Sequence, residues 1–231
     1  MRLDKYISHC TSYPRKDSRK AIKSGDVAVN GNEIVDPAFQ VPSSAIVSLR
    51  QQTLSLPQPR YYMVYKPLGI VSASTDSENP CVTDLLGNDA TGLQVAGRLD
   101  KDATGLLLLS DDGGWIHRVI SPNKICPKTY QVEVEQTLTH DAEEQFRTGI
   151  ALRNEKKLTR PAQLEKIDGL NYRVTISEGR YHQVKRMFAA SGAHVTKLHR
   201  EQIGEIKLDA GLKPGEYREL TDSEINSVYS Q

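Results

Sequence analysis

Apolar side chains near the N-terminus repeat with helical spacing. Four of them fall at i, i+3, i+4 and i+7, on one face of a short helix: Leu3, Tyr6, Ile7 and Cys10. Pro14 ends this pattern, because a proline inside a helix removes a backbone hydrogen bond. A second, basic helix is expected from about Lys16 to Ser24, with Gly25 as its C-terminal stop.

The next segment changes to the two-residue period of β-strands. Residues 27–35 alternate around Asn30-Gly31, the dipeptide most typical of a two-residue hairpin turn. Two basic helices and a hairpin form a small unit, expected over residues 1–45, that cannot build a large core of its own. Residues 51–59 are polar, contain proline and have little periodicity, and we therefore expect a linker over residues 46–59.

Strand patterns dominate from Arg60 onward. Strands are predicted at four aromatic-rich, continuously apolar or alternating runs: 61–65, 106–109, 129–134 and 172–176. Helical patterns are fewer and occur at three places: 141–148, 182–190 and after Thr221, which begins a capping-box sequence. Because strands outnumber helices and do not alternate regularly with them, the pattern favours an α+β protein. Residues 60–231 are expected to form its larger domain, with a mixed, mostly antiparallel sheet.

The composition of the 231 residues excludes several classes of protein. Hydrophobic residues make up 38% and charged residues 26%, the balance of an ordinary globular chain. The three cysteines are widely spaced and form no C-x-x-C pair, which argues against a disulfide framework and a zinc knuckle. Glycine-rich nucleotide motifs and H-E-x-x-H are absent, so we expect neither a metal nor a small-molecule cofactor. Without a signal peptide or an apolar run of about 20 residues, the chain is expected to be cytoplasmic and not bound to a membrane.

Positive charge is concentrated locally, although the formal net charge is only +1. In residues 1–25 two acidic residues accompany seven basic ones: Arg2, Lys5, Arg15, Lys16, Arg19, Lys20 and Lys23. A second basic stretch spans residues 178–200. Local patches of this kind bind phosphate groups, but they are also typical of solvated faces, and the residues alone leave both interpretations open.

The segment 97–109 joins a polar loop to a buried strand. Gly97-Arg98-Leu99-Asp100-Lys101-Asp102-Ala103-Thr104-Gly105 runs directly into four leucines. A carboxylate at the edge of a hydrophobic core must be paired, hydrogen-bonded or altered in its acidity. Asp100 is therefore either a catalytic carboxylate or a loop-capping residue neutralised by Arg98, and the residues alone do not choose between them.

Three other segments carry candidate chemistry. Residues 176–188 end a strand, turn at Gly179 and begin a helix, on which Lys185 can reach a carboxylate or a phosphate. Tyr130 lies in a strand, and its ring offers a flat surface for a nucleobase if it faces a cleft. Residues 65–69 end a strand in a proline-glycine turn. Each segment also has an ordinary structural interpretation, as an exposed basic helix face, core packing and turn chemistry respectively.

Together and in this order, the segments resemble the RsuA-type ribosomal RNA pseudouridine synthases over essentially the whole chain. Lys66-Pro67-x-Gly69 resembles the first family motif, Gly97-Arg98-Leu99-Asp100 with Gly105-Leu106-Leu107 the second, and residues 178–186 the third. The first 45 or so residues resemble the S4 RNA-binding module. The third motif and the total length are most similar to the members that modify 16S rRNA.

The resemblance implies a role for each matching residue. Asp100 matches the catalytic aspartate, Tyr130 the tyrosine that stacks on the flipped base, and Arg98 the arginine thought to fill the space that the base leaves. Lys185 falls where the wider superfamily often has an arginine paired with the aspartate, and Arg180 is a further substrate-binding residue of the same motif. Contacts to RNA phosphates are implied for six residues of the S4-like module: Arg2, Lys5, Arg15, Arg19, Lys20 and Lys23.

The implied activity is the isomerisation of one uridine of 16S rRNA, uridine 516, to pseudouridine. The N1–C1′ bond breaks, the base rotates and rejoins through C5, so that a carboxylate suffices and no cofactor is required. The implied partner is 16S rRNA or a small-subunit assembly intermediate, bound by a monomer. Attack of Asp100 on C1′ or on C6 stays open, as do two alternative functions, a synthase for 23S rRNA and a non-catalytic rRNA-binding assembly factor.

Three positions depart from the family pattern. Ala103 stands where threonine is usual, and Pro14-Arg15 stands where the S4 pattern often has Ser-Arg. Lys185 replaces the commoner arginine, and a lysine cannot form a bidentate fork with a carboxylate. The pairing geometry of Asp100 is the feature that these departures affect.

Overall fold

The computed structural model describes residues 1–121 and 126–229, which divide into two units after residue 58. Two short helices begin the first unit, as the apolar spacing predicts: α1 at Leu3–Cys10 and α2 at Arg15–Lys23. Their apolar faces are buried, and Leu3, Ile7 and Ile22 are fully excluded from solvent. Gly25 follows α2 with a φ of +80°, the left-handed conformation that commonly ends a helix.

A four-stranded antiparallel sheet completes the first unit. Its strands are β1 (Val27–Val29), β2 (Asn32–Glu33), β3 (Val47–Leu49) and β4 (Gln52–Leu54), in the order β2-β1-β3-β4. The hairpin predicted at Asn30-Gly31 is present, and both residues have the positive φ that a type I′ turn requires.

The expected linker over residues 46–59 is wrong for residues 47–54, because these residues form β3 and β4. Arg50 and Gln51 have φ values of 50° and 67°, so a second tight turn folds the polar strand β4 back onto β3. Neither residue is a glycine or an asparagine, and the turn therefore has no sequence signal. The first unit extends to Gln58 instead of ending near residue 45.

The second unit, residues 59–231, contains one nine-stranded sheet, and residues 230 and 231 of this expected domain lie outside the described part. Its strands are β5 (Tyr61–Lys66), β6 (Gln94–Val95), β7 (Thr104–Ser110), β8 (Lys128–Val134), β9 (Gln163–Asp168), β10 (Asn171–Ile176), β11 (Val195–Ile203), β12 (Ile206–Lys207) and β13 (Tyr217–Glu219). The main path is β13-β5-β7-β11-β8-β10-β9, with β6 beside β7 and β12 beside β11. Strands β7 and β11 are parallel and the other pairs antiparallel. The predicted α+β class with a mixed, mostly antiparallel sheet is confirmed.

Helices of the second unit are α3 (Gly113–Ile120), α4 (Ala142–Thr148), α5 (Gln183–Ala190) and α6 (Asp222–Ser227), with 3-10 helices at Val82–Leu85 and Gly87–Ala90. Helices α4, α5 and α6 confirm the three predicted ones, and Thr221 forms the expected capping box with Glu224. Helix α3 was not predicted; Asp112 caps it by accepting hydrogen bonds from two backbone N–H groups. In the described ranges no helix is long and apolar enough to cross a membrane.

Strand β7 runs through the sheet with both faces buried. Leu106 and Leu108 belong to one apolar cluster, whereas Leu107 and Leu109 belong to another on the opposite face. A continuous apolar run, in place of an alternating one, is the sequence pattern of such a strand. The loop that precedes β7 therefore starts from a rigid core, and this loop carries Asp100.

Candidate active site

Asp100 lies in a tight turn that leads into β7. The backbone N–H of Ala103 donates to the carbonyl oxygen of Asp100 over 3.1 Å and closes this turn, residues 100–103, which we name the Asp100 turn. Leu99 and Ala103 are buried in one apolar cluster, whereas 28% of the Asp100 side chain is exposed. The carboxylate therefore reaches solvent from a fixed piece of backbone.

Two side chains from the start of α5 contact this carboxylate. Lys185 Nζ lies 3.3 Å from Asp100 Oδ2, and His182 Nε2 lies 3.4 Å from Oδ1. Lys185 also donates to Asp102 Oδ1 over 2.5 Å, and this hydrogen bond lowers the pKa of the Asp102 carboxyl. An ammonium group at such a distance forms a charge-assisted contact that orients a carboxylate. The structure thus brings together Asp100 and Lys185, which sequence reasoning paired.

The segment Lys66–Gly69 holds the Asp100 turn by contacts to its backbone. Lys66 is fully buried, and its Nζ donates to the carbonyl oxygens of Pro67 and Ala103, each over 2.8 Å. The N–H of Gly69 donates to the carbonyl oxygen of Lys101 over 2.9 Å. The sequence indicated only a turn for this segment, whereas the structure shows that it also holds the Asp100 turn in place.

Burial lowers the pKa of the Lys66 ammonium to about 8, from 10.5, although Asp102 and Asp100 raise it in part. Between these two values the folded protein has lost the Lys66 proton while the unfolded chain keeps it, so folding stability from this group rises with pH. We expect the unfolding free energy of the wild type, relative to Lys66→Met, to increase between about pH 8 and pH 10.5. Urea denaturation over this range measures the difference. A difference that stays constant would contradict the prediction, and Lys101→Met, which removes an exposed lysine, is the control.

Arg200 and Ser72 complete the attachment of the loop. The Ser72 hydroxyl donates to the Leu99 carbonyl over 2.8 Å and accepts from the Leu99 N–H over 3.0 Å. Arg200, 2% exposed, donates from Nε to the Leu106 carbonyl and from Nη1 to the Arg98 carbonyl, over 2.8 and 3.2 Å. Its Nη2 is buried and has no hydrogen-bond partner within the described ranges. Together, Lys66, Ser72 and Arg200 hold residues 98–106 by hydrogen bonds to backbone carbonyl oxygens.

Tyr130 and Arg98, the other residues expected near the base, differ in exposure. Tyr130 is 8% exposed and belongs to the same buried cluster as Leu99, which precedes Asp100, and Ala103, which ends the Asp100 turn. The guanidinium carbon of Arg200 lies 6.0 Å from the centre of its ring. Arg98 is exposed, two residues before Asp100. Tyr130 thus lies in the core that carries the Asp100 turn, and Arg98 at its surface.

Arg180 lies in a different network from Asp100. Its guanidinium pairs with Glu178 over 3.2 Å and with Glu155 over 3.7 Å. The same group donates to the carbonyl oxygens of Lys157 and Leu158. These contacts fix the loop before α5 to the segment 153–158.

Sequence reasoning missed four side chains that the structure brings to the site or its support: Ser72, Tyr181, His182 and Arg200. His182 and Tyr181 lie inside the third motif, and this location in the sequence could have marked them as candidate site residues. His182 has a left-handed backbone, with a φ of 47°, at the residue before α5. Ser72 and Arg200 have no local signal, because a serine in a loop and an arginine in a strand are unremarkable until their partners are known.

Three arginines of the first unit converge on one buried carboxylate. Asp4 is fully buried, and it accepts hydrogen bonds of 2.9 to 3.1 Å from Arg2, Arg15 and Arg19. These bonds, led by that of Arg2, hold the pKa of the Asp4 carboxyl well below its usual range. About half of each arginine side chain stays exposed, 43% to 52%. The other three expected RNA-binding residues, Lys5, Lys20 and Lys23, are exposed, and Lys20 lies 3.5 Å from Asp17.

Comparisons with known proteins agree with this geometry. The family model of RNA pseudouridylate synthase matches residues 60–190, and that of the S4 domain matches residues 1–47. A ribosomal small subunit pseudouridine synthase A of Escherichia coli (strain K12) is 48% identical, over 99% of this chain and all of its own length. Its namesake from Vibrio parahaemolyticus is 46% identical over the full length of both.

A solved structure described as a pseudouridylate synthase has the same fold. It superposes with a TM-score of 0.73 at 41% identity and covers 99% of both chains. No group of three or more metal-binding side chains occurs among the described residues. With a family match over more than half of the chain and near-complete alignment to named relatives, this chain belongs to the RNA pseudouridylate synthase family, RsuA type, with an N-terminal S4 domain.

Proposed function

We propose that this protein converts one uridine of 16S rRNA, uridine 516, into pseudouridine, with Asp100 as its catalytic carboxylate. The observation that carries the proposal is the Asp100 carboxylate, exposed to solvent and held between Lys185 and His182 at 3.3 and 3.4 Å. The relatives named for the ribosomal small subunit, at 46% and 48% identity, support that rRNA as the substrate.

The chemistry requires a nucleophile and no other reactant. Asp100 attacks either C1′ of the ribose or C6 of the base, and the N1–C1′ bond breaks. The base rotates and bonds to C1′ through C5; the bond to Asp100 then breaks, the C5 proton leaves to solvent and N1 takes up a proton. Lys185, 3.3 Å away, orients the carboxylate before attack. Because the Asp100 turn is held by Lys66, Ser72 and Arg200, little reorganisation is needed when the substrate arrives.

A uridine in a folded rRNA must leave its stack to reach this carboxylate. Unstacking costs a few kcal/mol, and stacking of the extruded base on Tyr130 recovers part of it. The Tyr130 ring is mostly covered, so we expect a base to displace neighbouring atoms to reach its face. Arg98, exposed beside Asp100, is suited to the space that the base leaves in the RNA.

The first unit supplies phosphate contacts in this proposal. Arg2, Arg15 and Arg19 surround a single negative charge, so that the cluster keeps an excess of two positive charges. Guanidinium groups fixed in this way bind phosphate without a large loss of side-chain entropy. We propose that a protein monomer docks on 16S rRNA, or on an assembly intermediate of the small subunit, through these residues together with Lys5, Lys20 and Lys23.

Loss of the Lys185 charge should slow the reaction strongly. In Lys185→Gln, Asp100 loses the cation at 3.3 Å that orients it. We expect kcat to fall about 10²-fold, the usual effect of removing one preorganised electrostatic group, while KM changes little. Tritium release from rRNA labelled at C5 of uridine measures both. Lys185→Arg restores the charge as a matched control, and a Lys185→Gln enzyme with unchanged kcat would contradict the role.

Mapping of pseudouridine in both rRNAs tests the function itself. A strain that lacks the gene should have uridine at one position of 16S rRNA, and the purified protein should restore pseudouridine there in an unmodified transcript. Loss of a modification from 23S rRNA instead would assign the protein to the large subunit. If neither rRNA changes while the purified protein still binds the transcript, the protein is a non-catalytic assembly factor and the proposal fails.

A further inference from the structure

Tyr181 is an aromatic side chain that the fold leaves in solvent beside the candidate catalytic carboxylate. It is 77% exposed, more than any other large hydrophobic residue of the described part of the chain. Tyrosine commonly buries its ring and keeps only the hydroxyl wet. An exposed aromatic ring beside the candidate site offers a flat face on which a nucleobase can stack.

The Tyr181 ring already takes part in a stack. Its centre lies 3.8 Å from that of the His182 ring, and the two planes differ by 19°. His182 in turn contacts Asp100 over 3.4 Å. One face of Tyr181 is therefore covered by the imidazole, and its high exposure leaves the opposite face open for a further flat group.

The backbone around Tyr181 is fixed although the side chain is exposed. Arg186 Nη1 donates to the Tyr181 carbonyl oxygen over 3.1 Å, and its Nη2 donates to that of Arg153 over 2.7 Å. On the other side of Tyr181, Arg180 is bound to the carbonyl oxygens of Lys157 and Leu158. A ring presented from a rigid backbone loses little entropy when a partner stacks on it.

The segment that these arginines hold is basic. Arg153, Lys156 and Lys157 are exposed, while the one acid among them, Glu155, is paired with Arg180 and Arg186. Positive side chains next to an exposed aromatic ring are the arrangement with which proteins bind single-stranded nucleic acid, since phosphates pair with the cations and bases stack on the ring. This charge distribution identifies the partner as RNA.

We infer that the outer face of Tyr181 stacks on a nucleobase next to the target uridine, with the adjoining phosphates near Arg153, Lys156 and Lys157; this rests on the proposed function. The position of the rings excludes the target base itself. A base on the outer face lies about 3.5 Å beyond Tyr181, and hence two ring layers from His182, the ring of this stack that contacts Asp100. The reacting nucleotide must meet Asp100 directly, so the stacked base belongs to a neighbour.

Binding of an unmodified 16S rRNA transcript to the full-length protein tests the inference. Tyr181→Ala should weaken Kd by about 5- to 150-fold, the range for losing one base–aromatic stack, whereas Tyr181→Phe should stay within about twofold of wild type. Tyr229→Ala is a matched control, because it removes another exposed tyrosine, one that packs on Arg118, and should leave Kd unchanged.

Abasic substitutions in a synthetic fragment around the target identify the partner base. At one position next to the target uridine, loss of the base should weaken binding to wild type but not weaken binding to Tyr181→Ala any further. Unchanged Kd in Tyr181→Ala overturns the inference, as does an equal loss in Tyr181→Phe, which would indicate a hydroxyl contact. Coupling at the target position itself overturns the assignment to a neighbour. Failure of the proposed function would show separately, as absence of tritium release when the wild type is incubated with the same transcript labelled with tritium at C5 of uridine.

Discussion

Asp100→Asn should abolish pseudouridine formation, with a fall in rate of at least about 10⁴-fold, as is usual when a catalytic nucleophile is removed. The amide has the same shape as the carboxylate but no charge and little nucleophilicity. Single-turnover tritium release from 16S rRNA labelled at C5 of uridine provides the measurement, and Asp100→Ala should behave in the same way.

The loss should be confined to the chemical step. Lys185 is partly exposed and keeps its 2.5 Å contact with Asp102 in the variant, so the cation still has a partner and the fold should persist. In the proposed function RNA is held mainly by contacts away from Asp100, so binding should be as tight as in wild type or tighter. Asp102→Asn, which removes a carboxylate that is 75% exposed, is the matched control and should retain most of the activity. Turnover by Asp100→Asn within tenfold of wild type would refute the role of Asp100.

Gly105→Ala should destabilise the second unit by at least about 3 kcal/mol, among the largest effects of a single methyl group. A Cβ atom at this position would lie 2.2 Å from the Arg200 carbonyl oxygen and 2.7 Å from its backbone nitrogen. The contact is with backbone of the neighbouring parallel strand β11, which cannot move aside as a flexible side chain can. The φ of +109° at Gly105 adds strain, because L-residues rarely adopt it.

Urea denaturation measures this loss, and activity is expected to fall with it, since the Asp100 turn ends two residues earlier. Gly113→Ala is the matched control: a Cβ there meets nothing within 4 Å, and the residue is the first of α3, where alanine is favoured. We expect this variant to be as stable as wild type or slightly more so. A Gly105→Ala midpoint equal to that of Gly113→Ala would show that β7 and β11 can separate freely.

The sequence predicted the fold wherever a local pattern determined it. The four leucines before Ser110 predicted a buried strand, and Asn30-Gly31 predicted a hairpin, because both signals arise within a few residues. The turn at Arg50-Gln51 was missed, since neither residue favours the left-handed conformation that it adopts there. Helix α3 was missed because Gly113 and Gly114 begin it, and glycine is a poor helix former.

The site was predicted less completely than the fold. The pairing of Asp100 with Lys185 followed from motif resemblance, and both residues meet in the structure. The contribution of Arg200 could not be inferred, because it depends on the parallel register of β7 and β11, a contact between residues about a hundred positions apart. Tyr181 escaped notice for a related reason: exposure is a property of the assembled surface and has no pattern in the chain.

Residues 98–103, which include the Asp100 turn, are held in place by hydrogen bonds to their backbone carbonyl oxygens, and this affects how the segment can evolve. Four residues accept a hydrogen bond at their backbone carbonyl oxygen, a group that every amino acid has: Arg98, Leu99, Lys101 and Ala103. Exposed side chains of this segment, such as Arg98 and Lys101, can therefore change without loosening Asp100, whereas Ala103 is fully buried and its side chain is constrained by the core. Such a scaffold would let a lineage exchange one RNA target for another through a few surface replacements while its chemistry stayed the same.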